Sequence, residues 1–159
     1  MFQPNYRIPI TVQSFPKDNG ICLGTQLSSI VQFIKNYLPD HLWYAADVDA
    51  IGKHANIEAF KNYKPSLVGN DLQFIHYCSG IRQFIWGVFL CICNGIPSQE
   101  IENIELETEE LPFRPIHCNG ILLELRTFDT SYFEIYSEDQ KIMNLLSEQF
   151  SVDIETVNA

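Results

Sequence analysis

Asp47 and Asp49 are the two carboxylates whose spacing best suits chemistry in this chain. Two positions apart on a strand, they would share a face and could hold a divalent cation or act as acid and base. Lys53 and His54 follow closely, and His54 could relay a proton. The alternative is a solvated strand end that enters a turn. Because no third acidic ligand stands at a fixed spacing, the sequence favours that alternative, and no metal or cofactor is expected.

The cysteines suggest metal or redox chemistry at one place, Cys91-Ile92-Cys93. This pair falls in an apolar run from Phe84 to Cys93 that is typical of a buried strand, and the C-x₂₋₄-C spacing of zinc sites is absent. The five cysteines are an odd number, and the N-terminus has neither a basic start nor an apolar core. The sequence therefore predicts reduced thiols in a cytoplasmic protein without a signal peptide.

Signatures of nucleophilic, nucleotide-binding and metalloprotease sites are absent from the sequence, which has no G-x-S-x-G, P-loop, dinucleotide glycine fingerprint or H-E-x-x-H. Ser131 lies two residues after Asp129, but Asp-Thr-Ser is also ordinary turn chemistry. The four histidines have no partners at metal-ligand spacing. These observations favour a non-enzymatic protein over a catalyst.

The acidic segment from Glu100 to Glu110 is the most informative feature of the chain, because it contains six glutamates and no lysine or arginine. With a formal net charge of −10, such a surface would attract a basic protein and speed its association, although a solvated charged face is the simpler interpretation. The same charge argues against binding to nucleic acid or to an anionic membrane. The glutamates predicted to bind the partner are Glu102, Glu105, Glu107, Glu109 and Glu110.

A pocket for a small molecule, with or without enzymatic activity, is the alternative function. Arginine and aromatic side chains dominate binding hot spots, and this chain places several of them near acidic groups. The lining would comprise Trp43, Tyr44, Trp86 and Arg126, with Asp47, Asp49 or His54 as the polar groups. A third alternative is a structural subunit that pairs with a second copy through an exposed strand edge.

The elements that must position these residues follow from hydrophobic periodicity. The pattern predicts one α+β domain over 1–159, with a mainly antiparallel sheet and three or four helices packed mostly on one face. The tail beyond Asp153 is expected to be loose. About six strands are expected, over 6–12, 42–49, 83–93, 101–109, 121–129 and 132–136. Helices are expected over 25–38, weakly over 55–63, from Asn70 or Asp71 to about Gly80, and from Ser137 through Phe150.

For one of these strands and for the late hairpin, the sequence predicts the burial or pairing of individual residues. In the strand 101–109, Ile104, Leu106 and Thr108 should be buried, with Glu105, Glu107 and Glu109 facing solvent. In the late hairpin, pairing of Phe128 with Tyr132 would place Arg126 opposite Glu134 and Glu124 opposite Tyr136. An Arg126–Glu134 pair would be structural, whereas Arg126 among aromatic residues could instead face a ligand.

The block ELRTFDTSYFEIY, Glu124 to Tyr136, runs into the C-terminal helix. It resembles part of certain small uncharacterised bacterial cytoplasmic proteins, some of which are immunity proteins of toxin systems. The resemblance covers the last quarter of the chain and includes no catalytic motif, so it implies no site residues. It implies a non-enzymatic inhibitor that sequesters a basic toxin.

Overall fold

A computed structural model describes residues 1–18, 20, 22–60, 64–106, 115–128 and 131–157. The strands of this part of the chain form one sheet of seven, in which every neighbouring pair is antiparallel. They are β1 (Tyr6–Ile10), β2 (His41–Gly52), β3 (Ser66–Gly69), β4 (Ile81–Cys93), β5 (Ile121–Phe128), β6 (Tyr132–Ser137) and β7 (Glu155–Thr156). Their order across the sheet is β3-β2-β4-β5-β6-β1-β7.

The long helices pack on one face of the sheet, as the sequence predicted, and the α+β class is confirmed. The α-helices of the described residues are α1 (Gly24–Ile34), α2 (His54–Glu58), α3 (Asp71–Ser79), α4 (Ser98–Glu102) and α5 (Gln140–Phe150). Helices α1, α3 and α5 contribute to the larger apolar core, whereas α4 lies on the opposite face. The helix count exceeds expectation by α4, a five-residue helix that was not predicted, whereas the equally short α2 overlaps the weak helix expected over 55–63. None of the helices in the described residues is long and apolar enough to cross a membrane.

Local side-chain chemistry fixes the ends of the longer helices. The Asn70 side chain accepts from the Gln73 amide at 3.0 Å, and the Gln73 side chain accepts from the Asn70 amide at 2.9 Å. This reciprocal pair begins α3 at the predicted place. Asp139 caps α5 without a reciprocal bond, accepting from the Lys141 amide at 2.9 Å, so that this helix begins at Gln140 and not at Ser137 as predicted.

The core on the helix face is built around aromatic side chains from β2, β4 and α3. Trp43 stacks on Phe74 with ring centroids 4.9 Å apart, and Phe74 meets Phe89 edge-on at 5.5 Å. Phe84 and Phe60 complete the cluster against Phe89, with centroids 5.3 and 5.8 Å away. These contacts make β2 and β4 a rigid platform for whatever lies on the other face.

The second face of the sheet is also covered over part of its area, but mostly without helices. Tyr44 and Ala46 of β2 and Val88, Leu90 and Ile92 of β4 are buried there. The residues that cover them come from the N-terminus, α4 and two neighbouring segments; they are Phe2, Ile101, Ile104, Leu106 and Ile116. This thinner layer contains the candidate site.

The predicted strand over 101–109 is wrong over its described part. Residues up to Glu102 belong to α4, and 104–106 have no regular secondary structure. The predicted burial nevertheless holds there, since Ile104 and Leu106 are buried and Glu105 is exposed. Residues 107–109 lie outside the described residues. Ile101 and Ile104 have helical spacing, whereas Ile104 and Leu106 have strand spacing. The prediction was wrong because it assigned the two-residue period of a strand to the whole segment.

Part of the tail beyond Asp153, which the sequence predicted to be loose, pairs with β1. Glu155 and Thr156 pair with Arg7 and Tyr6 of β1, and the Val157 amide donates to the Asn5 carbonyl at 3.0 Å. Arg7 also forms an ion pair with Glu155 at 2.6 Å. A two-residue strand of polar side chains has no apolar pattern, so the sequence carried no signal for it.

Candidate functional site

A cleft of about 290 Å³ lies on the second face of the sheet, bordered by α4 and by residues 115–117. Its apolar lining consists of Ile104, Leu106, Pro115 and Ile116. Its polar lining consists of Glu100, Asn103, Glu105, His117 and Arg126. An adjoining hollow shares Glu100, Asn103 and His117 and extends towards Met1, Cys118 and Asn119. The first of these two spaces is called the α4 cleft below.

The two sides of the α4 cleft are held by different local interactions. On one side, Ile101 is fully buried, and the Ile104 amide donates to the Ile101 carbonyl at 3.1 Å. This turn carries Ile104 onto the sheet and leaves Glu105 exposed. On the other side, Ile116 and Phe2 exchange two backbone hydrogen bonds of 2.8 Å. The N-terminal residues therefore help to hold one wall.

Arg126 of β5 lines the cleft although its side chain is only 3% exposed. Its Nε donates to Glu124 Oε1 at 2.5 Å. Glu124 is fully buried, and its Oε2 has no hydrogen-bond partner among the described residues. Burial raises the pKa of Glu124, and the Arg126 charge opposes that effect without cancelling it.

A second group of charges lies beside this pair on the same face. Glu134 of β6 accepts from the Tyr136 hydroxyl and pairs with Arg7 Nη1 at 3.3 Å. Burial and then the hydrogen bond to Glu134 raise the pKa of Tyr136. The predicted hairpin register is confirmed, with Arg126 opposite Glu134 and Glu124 opposite Tyr136. Sequence reasoning missed Arg7, which stands 127 positions from Glu134 and reaches it through β1–β6 pairing.

The glutamates predicted to bind a partner can be placed in part. Glu105 is exposed and lines the α4 cleft, together with the exposed Glu100. Glu102 is exposed at the end of α4, and its charge adds to burial and Cys118 in raising the pKa of Tyr44. Glu107, Glu109 and Glu110 lie outside the described residues.

The seven residues predicted to line an aromatic pocket do not come together in the structure. Trp43 is buried in the helix-face core, where its Nε1 donates to Asp71 Oδ1 at 2.8 Å, whereas Tyr44 is buried on the second face. Trp86 is 38% exposed, and the His54 side chain is 87% exposed on α2. Arg126 is the member of the set that lines the α4 cleft.

Asp47 and Asp49 are separated by an irregularity in β2. Ala46 pairs with Val88 and Asp49 with Trp86, so that Asp47 and Val48 together face Gly87. Asp47 has φ = +50°, a left-handed conformation that aspartate tolerates better than most residues. This β-bulge shifts the alternation of side chains, because Ala46 lies on the second face while Val48 packs against the helix-face core. The regular strand geometry assumed for an Asp47–Asp49 cation site is therefore absent.

The cysteines are held mainly as small apolar side chains. Cys22, Cys78, Cys91 and Cys118 are buried, as the sequence predicted for Cys91, whereas Cys93 is partly exposed. Burial raises the pKa of the Cys22 thiol to about 12, which suppresses its reactive thiolate. Within the described residues there is no group of three or more His, Cys, Asp and Glu side chains placed to hold a metal.

A second polar cluster, which was not predicted, forms where β2 begins beside α3. His41 Nε2 lies 2.8 Å from Asp71 Oδ1, and His41 Nδ1 lies 2.6 Å from the Pro39 carbonyl oxygen. Trp43 Nε1 shares the same Asp71 oxygen. Asp71 is the first residue of α3, where the helix dipole favours its negative charge. The cluster is buried against the core and therefore joins elements instead of forming an accessible site.

No protein-family model matches the chain, and no curated protein or solved structure matches it either. The assignment of function therefore depends on the α4 cleft and the charges around it.

Proposed function

We propose that this protein is a non-enzymatic acidic binding protein that sequesters a basic protein partner, in the manner of an immunity protein. The observation that carries the proposal is the position of Glu100 and Glu105, which are exposed and line a cleft with apolar walls. Glu102 is exposed beside them at the end of α4. Among the described lining residues the one arginine or lysine is Arg126, which is buried and paired with Glu124.

Such a surface combines the two contributions that protein association needs. Exposed carboxylates add to a net charge of −10 and attract a positively charged protein over a distance, which increases the association rate. Pro115, the exposed apolar residue of the lining, and the small exposed parts of Ile104 and Leu106 offer area that a partner can bury after contact. An inhibitor of a nuclease or another basic toxin can place carboxylates where its target binds phosphates.

The proposal is tested by recovering the partner and then reversing charges beside the cleft. The tagged protein is used for affinity capture from the native organism, and bound proteins are identified by mass spectrometry. Association rates are then measured for the double variant Glu102→Lys with Glu105→Lys. The matched control is Glu148→Lys with Asp153→Lys, which changes the net charge equally at exposed positions on and after α5.

We expect the first double variant to associate more slowly than the control, with a smaller dependence on salt. Dissociation should change less, because exposed charges at a rim act mainly on encounter. Equal slowing in both variants would show that net charge, and not the α4 surface, attracts the partner. A salt-independent rate unaffected by either variant would remove the electrostatic basis of the proposal.

Binding of a small molecule is a second candidate function, favoured by the existence of the cleft itself. Its volume of about 290 Å³ lies near the lower end of the ~300–1,000 Å³ range of ligand sites. Native mass spectrometry of freshly purified protein tests this candidate. A stoichiometric metabolite, with no protein recovered by affinity capture, would favour it over the protein-binding function.

A further inference from the structure

We propose that the α4 cleft accepts one lysine or arginine side chain of the partner. This inference rests on the proposed function and specifies how the partner would be anchored. Its basis is the combination of apolar walls with exposed carboxylates inside one small cleft. Each of these two features fits a different part of a long basic side chain.

The apolar walls suit the methylene stem. Lysine and arginine bury their stems along apolar surface while the charged group stays near water. A stem lying along Pro115 and the small exposed parts of Ile104 and Leu106 would leave its charged group beside the exposed Glu100 and Glu105. The cleft, at about 290 Å³, has room for one such side chain but not for a large ligand.

Arg126 forms the floor of the cleft, and its charge repels a bound cation less strongly than that of an arginine without a carboxylate beside it. Arg126 is paired with Glu124 at 2.5 Å, and Glu134 stands opposite it on β6. Together with Arg7, these residues place two arginines and two glutamates on this part of the sheet, and their formal charges balance once the pH exceeds the raised pKa of Glu124. Among the described residues near the cleft, the excess charge then comes from the exposed glutamates, which favour a cation and disfavour a carboxylate ligand.

The test uses small probes and the intact protein. N-acetyl-lysine amide and N-acetyl-arginine amide are titrated while the backbone amides are followed by NMR. N-acetyl-norleucine amide serves as the uncharged control and N-acetyl-glutamate amide as the anionic one. We expect the two cationic probes to shift the amides of Asn103, Glu105 and His117 saturably, and to bind more tightly than either control.

Two variants locate the binding. Asn103→Trp places a bulky ring at an exposed position that lines the cleft, and Gln99→Trp is its matched control on α4 outside the lining. We expect Asn103→Trp to weaken lysine binding about tenfold or more, which corresponds to 1.4 kcal/mol. Gln99→Trp should have little effect. Glu105→Gln, which leaves the shape almost unchanged, should weaken the cationic probes but not norleucine amide.

Several results would overturn the inference. Tighter binding of the glutamate probe would show an anion site at Arg126, and equal losses in the two tryptophan variants would place binding outside the cleft. Absence of any saturable shift with the cationic probes would also refute it. If the captured partner binds Asn103→Trp as tightly as the unaltered protein, the inference fails while the proposed function stands. If the cationic probes bind in the cleft but no basic partner is captured, the proposed function fails instead.

Discussion

Glu124 is an acidic residue whose burial costs more solvation than its single described hydrogen bond recovers. Its carboxylate is fully buried, yet only one of its two oxygens has a described hydrogen-bond partner. Burying an ion pair costs solvation that the pair recovers only in part, whereas removal of one partner leaves an uncompensated charge. We therefore expect the Glu124–Arg126 pair to fix the arrangement of the second face more than it stabilises the protein.

The protonation of Glu124 gives the first prediction. Because burial raises its pKa above the ordinary value of 4.5, the folded protein keeps a proton that the unfolded chain has already released. The stability that Glu124 contributes is then fully present below its ordinary pKa and is lost as pH rises towards its folded pKa. Glu124→Gln cannot titrate, so the difference in free energy of unfolding between the two proteins should shift in favour of the variant as pH rises above the ordinary pKa of 4.5, whatever the loss of the ion pair costs.

Urea unfolding of both proteins across that pH range measures the difference. A gap that instead widens in favour of the unaltered protein as pH rises would show that attraction to Arg126 exceeds the cost of burial. The folded-state pKa of Glu124 would then be lowered.

Asp71 gives a second prediction at the residue scale. One of its oxygens lies 2.8 Å from both His41 Nε2 and Trp43 Nε1. Asp71→Ala should remove the partner of His41 Nε2 and leave the buried Trp43 Nε1 donor without its acceptor, which should cost roughly 1–3 kcal/mol for the unpaired donor. Chemical denaturation followed by tryptophan fluorescence measures the loss. Glu148→Ala, at an exposed position, is the control, and a similarly small change in both would show that water replaces Asp71.

At the scale of elements, what the sequence predicts depends on how far an interaction reaches along the chain. The cap of α3 and the register of the β5–β6 hairpin follow from neighbouring residues, and both were predicted. The start of α5 was not, since Asp139 is its cap and the helix was expected from Ser137. The strand predicted over 101–109 was wrong in its described part because two spacings meet at Ile104. The spacing from Ile101 to Ile104 is helical, whereas that from Ile104 to Leu106 is typical of a strand. The sequence could not predict which charged residues lie together on the second face, since Arg7 and Glu134 meet only after β1 has paired with β6.

The same reasoning explains why the structure brings together only some of the predicted site residues. The acidic segment was recognised from composition alone, and Glu105 does line a cleft. The aromatic pocket was predicted from residue types alone, without knowing on which face of the sheet each side chain lies. Adjacent residues of one strand point to opposite sides of a sheet, which is why Trp43 and Tyr44 are separated.

The layer of helices gives a prediction for the core. Leu125 of β5 and Leu146 of α5 are fully buried between sheet and helices. Replacing either with alanine should cost roughly 2–5 kcal/mol, because a cavity remains in a layer that cannot collapse. Glu105→Gln should change stability by less than about 0.5 kcal/mol, since its side chain is exposed. Comparable losses in urea melts at Leu125 and Glu105 would contradict this assignment of faces.

At the scale of the whole molecule, one face of the sheet contributes mainly to the apolar core and the other carries the candidate site. The helix face contains the aromatic cluster and the longest helices, so it supplies most of the apolar burial. The second face carries the buried ion pairs, the N-terminal residues and the α4 cleft. A change in the α4 cleft can therefore alter binding without disturbing the main core, which makes the proposed variants interpretable.

The net charge of −10 gives the last prediction. Like charges lie closer together in the folded protein than in the unfolded chain, so their repulsion favours unfolding. Salt shortens the Debye length from ~30 Å at 0.01 M to ~8 Å at 0.15 M and should weaken that repulsion. We therefore expect the thermal midpoint to rise between these sodium chloride concentrations. The Glu148→Lys with Asp153→Lys variant, being less negative, should show a smaller rise. A midpoint that falls with salt would mean that exposed pairs such as Arg7–Glu155 contribute more than the repulsion costs.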